Sequence, residues 1–187
     1  MKRRLLVVLA TAGLAASGCR SRPAPPVLGT VPEFRLTAET GAPFSSQSLA
    51  GKVWVADFIF TTCQGPCPRM SSQMRQIQNA TTTLADVRLV SFTVDPERDT
   101  PEVLAAYGKR YQANPARWTF LTGPKETLHW LSRDAFKLGD VSGELEHSTR
   151  FVLVDRKGRI RGYYRTWEKD AIPNLLADIR AVLKEPQ

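Results

Sequence analysis

At 187 residues and 42% hydrophobic, the chain suffices for one ordinary domain with short extensions and a real core. Its formal charge of +8 suits an anionic membrane face or an acidic partner. No basic run interleaved with aromatics is present, which argues against nucleic acid as a partner.

In chain order, the first element is a leader, "MKRRLLVVLATAGLAASGC". Lys2, Arg3 and Arg4 precede an apolar run from Leu5 to Ser17, shorter than the roughly 20 residues needed to span a bilayer. Ala16, Ser17 and Gly18 close it as small residues close an export signal. "AASGC" resembles a bacterial lipobox. Residues 1–18 are therefore expected to be a lipoprotein signal peptide, and Cys19 the acylated first residue of an exported chain. That chain would be lipid-anchored to a bacterial membrane, its domain facing the periplasm or the outside. Without the leader the charge falls by three, to about +5. Residues 19–32 contain Pro23, Pro25, Pro26 and Pro32 and read as an extended tether holding a domain of residues 33–187 off the membrane.

"FRLTAETGAPFSS" alternates around Thr40-Gly41, a hairpin pattern. "VWVADFIF" (53–60) and "VRLVSFTV" (87–94) are apolar runs suited to strands buried on both faces. Between them Met70, Met74 and Ile77 recur at helical spacing, predicting a helix from Cys67 to about Ala80. Asp99 or Thr100, Pro101 and Glu102 announce the start of a second helix. "WTFL" (118–121) is a short strand, and Leu128, Leu131, Ala135 and Leu138 predict a helix over 125–138. "RFVLVDRKGRIRGYY" is a hairpin turning at Lys157-Gly158, and residues 170–185 form a closing helix. The alternation predicts an α/β three-layer sandwich on a mixed central sheet with an N-terminal β-hairpin. Ligands of such sheets sit beyond the carboxyl ends of the parallel strands. Cys63 follows one such end and Asp95 another.

In the exported chain the two remaining cysteines, Cys63 and Cys67, lie where a strand gives way to a helix. Helix-terminal amides there favour thiolates. A disulfide closing so small a loop would stabilise little, so a purely structural staple is poorly placed. The pair can cycle between dithiol and disulfide, or hold a soft ion such as copper(I) or zinc. Copper(II) wants a nitrogen donor as well, and the chain has two histidines. His129 falls within a helix beside Trp130 and reads as a surface or boundary residue. His147 stands in a polar loop directly before the strand "RFVLVD". If that strand runs antiparallel to its neighbours, the imidazole and the two thiols share one edge. Asp95 reads either as an acceptor behind the site or as part of a turn before a capped helix. Met70, Met74, Trp54, Trp118, Trp130 and Trp167 read as packing residues, although Met70 could offer a thioether. Asp57, inside an apolar strand, is a buried carboxylate needing a partner.

"FIFTTCQGPCPRM", "SFTVDPERDTPE" and "LEHSTRFVLVDRKGRI", in this order, resemble the Sco/SenC family of membrane-tethered, thioredoxin-like copper proteins. The resemblance implies a thioredoxin-like fold and one copper ion per chain, Cu(I) or Cu(II), held by Cys63, Cys67 and His147. It also implies delivery to the CuA site of cytochrome c oxidase subunit II, or to another copper or thiol protein. Gln64 and Glu146 stand where the family often has proline and aspartate, and neither is a ligand. Ser148 and Thr149 stand where thioredoxins carry a cis-proline, which argues against a general disulfide oxidoreductase. A thiol–disulfide reductase serving oxidase cysteines is the alternative, and a peroxiredoxin-like peroxidase a weaker one.

Overall fold

The computed structural model describes residues 22–139 and 149–186. Eight strands form one sheet: β1 (Gly29–Thr30), β2 (Arg35–Ala38), β3 (Pro43–Ser45), β4 (Val53–Ile59), β5 (Val87–Thr93), β6 (Trp118–Thr122), β7 (Arg150–Val154) and β8 (Arg159–Arg165). Their spatial order is β1-β8-β7-β4-β5-β6-β2-β3. β4, β5 and β6 are parallel, and the flanking strands pair antiparallel, so the expected mixed sheet is present. The helices are α1 (Cys67–Ala80), α2 (Pro101–Arg110), α3 (Lys125–Trp130) and α4 (Ala171–Leu183).

β4 is buried along its whole length because apolar side chains leave both of its faces. Val53, Val55 and Ile59 join Met70, Met74, Leu104 and Leu175 in a core beneath α1, α2 and α4. Trp54, Ala56 and Phe58 join Phe92, Leu128 and Phe136 in a second core on the opposite face, under α3. The N-terminal hairpin turns at Gly41 (φ 80°) and pairs through β2 with β6, so it extends the far edge of the sheet.

Two segments differ from the expectation. The helix over 125–138 leaves α geometry after Trp130 and makes a wider turn, Leu131–Ala135, closed by the Phe136 amide on the Leu131 carbonyl at 2.8 Å. That turn delivers Phe136 into an aromatic cluster with Trp54, Phe58 and Phe92, which a strict 3.6-residue period does not foretell. Residues 22–32, part of the segment expected as an extended tether, lie along the domain. The Leu28 amide donates to the Ile160 carbonyl at 2.8 Å, and β1 pairs with β8. The buried Arg161 guanidinium donates to the Pro25 carbonyl at 2.9 Å from Nε, to Asp155 at 3.0 Å, and to both Glu185 oxygens. Arg22 closes the strap on α4 through Asp178 at 3.0 Å and Asn174 at 3.1 Å.

Candidate metal centre

β4 and β5 run parallel in register and end together at Ile59 and Thr93. β7 is antiparallel to β4, with Val152 opposite Ala56, so it begins at the rim where β4 ends. The chain leaves β4 at this rim, passes Cys63 and enters α1 at Cys67. Cys63 lies beyond the end of β4 and Asp95 beyond the end of β5, as expected.

The loop carrying Cys63 is fixed from the segment between β5 and α2. The fully buried Asp99 carboxylate accepts from the Thr61 amide at 3.1 Å, the Thr61 hydroxyl at 2.5 Å and the Thr93 hydroxyl at 2.5 Å. Charged acceptors give the stronger hydrogen bonds, so this clamp sets where Cys63, two residues on, is presented. Sequence reasoning offered Asp99 only as a helix cap. The cap is in fact Thr100, whose hydroxyl accepts from the Val103 amide. The available signal was an acid made superfluous by a threonine already suited to capping. Asp95 has a different surrounding: its carboxylate pairs with Arg98 at 2.8 Å.

Both cysteines are free thiols in buried positions, Cys67 fully so, and Cys63 is near enough to act on the Cys67 thiol. α1 starts with no side-chain cap and no acid in its first turn, which leaves its amide end to the sulfurs. Thiolate formation is nonetheless not eased at Cys67, contrary to expectation. Burial pushes that thiol up to about 12, against a backbone hydrogen bond at Phe60; the neighbouring Cys63 and Asp57 push it the same way as burial. Desolvation outweighs the helix dipole here. The Cys67 thiol stays protonated until a soft cation replaces its proton or an oxidant joins the two sulfurs.

Asp57 lies on the α1 side of β4. Its Oδ1 accepts from Ser91 at 2.6 Å, and Ser91 in turn accepts from the Trp118 indole at 2.9 Å. Oδ2 is buried without a partner among the described residues. Burial raises this carboxyl to about 7, opposed by the Ser91 hydrogen bond.

Other predicted residues fall elsewhere. Met70 and Met74 are fully buried in the core beneath α1. His129 is half-buried on α3, across the sheet from the thiols. Trp54 and Trp118 pack as expected, but Trp130 (43%) and Trp167 (55%) are exposed. Cys19 and His147 lie outside the described residues. Among the described residues no group of three or more His, Cys, Asp or Glu is arranged to hold a metal, so this part of the site offers two sulfurs.

Residues 24–184 match the family model described as SCO1/SenC. A protein of Stutzerimonas stutzeri named "Putative copper-binding protein" is 34% identical over 161 residues, covering 80% of this chain and 76% of its own length. A crystal structure of a SCO1/SenC family lipoprotein from Bacillus anthracis is 33% identical, with a TM-score of 0.76 over 83% of this chain and 96% of that one. The structure of BsSco, described as having a disulfide switch and as a member of the Sco family of cytochrome c oxidase assembly proteins, is 30% identical. Its TM-score is 0.77, over 88% of this chain and all of that one. The fold is thus the thioredoxin-like α/β sandwich of these proteins.

Proposed function

The chain belongs to the SCO1/SenC family, and from that premise we propose that it is a membrane-anchored copper chaperone serving cytochrome c oxidase. The observation that carries this reading is the pair of free, buried thiols at the uncapped start of α1. Soft sulfur donors in a dry pocket suit copper(I) as cargo. His147 completes the ligand set. It stands three residues before Arg150, the first residue of β7, and the chain between them can reach about 11 Å at most. Asp95 is an acceptor behind the site, and Cys19 carries the lipid that holds the exported domain at the membrane.

Cys63 and Cys67 exchange their protons for the ion, and an acceptor's thiolates or thioethers then displace them one at a time. The acceptor is the CuA site of oxidase subunit II. The name of the Stutzerimonas relative and the oxidase-assembly role of BsSco support copper and this destination. Only the dithiol can bind, so reduction precedes loading. The reduced protein mixed with Cu(II) is expected to develop an intense sulfur-to-copper charge-transfer band. His147→Ala should lose Cu(II) far more readily than Cu(I), and an unaltered spectrum in that variant removes His147 from the site.

The two free thiols, four residues apart, also favour a second reading, a reductase for oxidase cysteines. That activity needs both sulfurs but no imidazole. Full rescue of oxidase assembly by His147→Ala would select it.

A further inference from the structure

We propose that the outer face formed by α1 and α4, with Trp167 at its margin, lies directly against an anionic phospholipid bilayer. This rests on the acylation of Cys19 proposed above. The first support is where the described chain ends. Arg22 is fastened to Asn174 and Asp178 on α4. Three Cα–Cα steps separate it from Cys19, a reach of about 11 Å at most. An acyl chain on Cys19 therefore enters the bilayer close to α4, and the proline-rich segment acts as a strap and not as a spacer.

Charge is the second support. α1 exposes Arg75 and contains no acid, and α4 exposes Arg180. The single acid of α4, Asp178, is buried and already engaged by Arg22 and the Tyr164 hydroxyl. Exposed cations on two helices that contain no free acid match an anionic headgroup layer.

The third support is Trp167, the most exposed large apolar side chain among the described residues, at 55%. It sits between the end of β8 and the start of α4, and its neighbour Thr166 accepts from Gln73 of α1 at 3.0 Å. The acids beside it are Glu168, paired with Arg165 at 3.3 Å, and Asp170. Tryptophan prefers the interface between headgroups and acyl chains. Because α1 begins at Cys67, this placement holds the thiol rim close to the bilayer surface.

Full-length protein purified from membranes, with acylation of Cys19 verified by mass spectrometry, can be reconstituted into phosphatidylglycerol-containing vesicles with brominated acyl chains. Bromine quenches tryptophans at the interface. Trp130, exposed on the opposite side of the sheet, serves as the internal control. Quenching is expected to persist in Trp130→Phe, to vanish in Trp167→Phe, and to fall severalfold in the Arg75→Glu/Arg180→Glu double variant. Acylated protein whose quenching survives Trp167→Phe, or that shows none in Trp130→Phe, overturns the orientation alone. Unmodified Cys19 overturns the anchoring and the orientation with it.

Discussion

Asp99 lies at the rim and receives donors from Thr61 and Thr93, whereas Asp57, two residues before the end of β4, receives one from Ser91 and leaves its second oxygen bare. Both carboxylates are fully buried, so the contrast comes from what surrounds them. Where donors converge, a carboxylate serves as a clamp between strands and a fixed base for the thiol loop. Where they do not, burial makes the carboxyl hold its proton, and the group answers to pH.

The pH response should give the largest effect. Asp57 has a folded value of about 7 against an ordinary 3.8. Its contribution to stability is fully present below about pH 4 and is lost as pH rises through 7. At about 1.36 kcal/mol per unit, the loss is on the order of 4 kcal/mol. Urea unfolding at pH 4 and pH 8 should show most of this fall in the wild type and a much flatter profile in Asp57→Asn. Equal slopes in both would assign the linkage to another group.

Asp99→Ala comes next. It strands the Thr61 amide and two hydroxyls in a buried pocket and should cost about 3 kcal/mol. It should also loosen the Cys63 loop and weaken copper retention, an effect that a purely structural clamp elsewhere in the sheet would not have. Ser91→Ala removes the single donor to Asp57 and the acceptor of the Trp118 indole, for about 1–2 kcal/mol. It should push the pH midpoint of the stability profile upward, because the hydrogen bond that favours the ionised carboxyl is gone. Arg22→Ala, at a half-exposed ion pair, should change thermal stability by less than about 1 kcal/mol.

The element order was legible because burial imposes period on sequence. "VWVADFIF" and the Met70, Met74, Ile77 spacing led directly to β4 and α1. The position of the two cysteines beyond a parallel strand was legible for the same reason. The clamp was not, because Thr61, Thr93 and Asp99 meet only through the pairing of β4 with β5, and each looks like ordinary loop polarity in one dimension. The docked strap was hidden by its prolines, which signal extended chain but do not say whether a surface receives it. Its receptor, Arg161, lies inside a strand among other cations that face solvent or pair locally. The protonated state of Cys67 was missed because the helix dipole can be inferred from position along the chain, while complete burial cannot.

Arg161 holds Pro25 from one end of the domain and Glu185 from the other. The strap therefore cannot be fully clasped until the chain has been made as far as Glu185. A tag fused behind Gln187 would crowd the Glu185 side of the clasp, and an N-terminal fusion ending at residue 22 would preserve it.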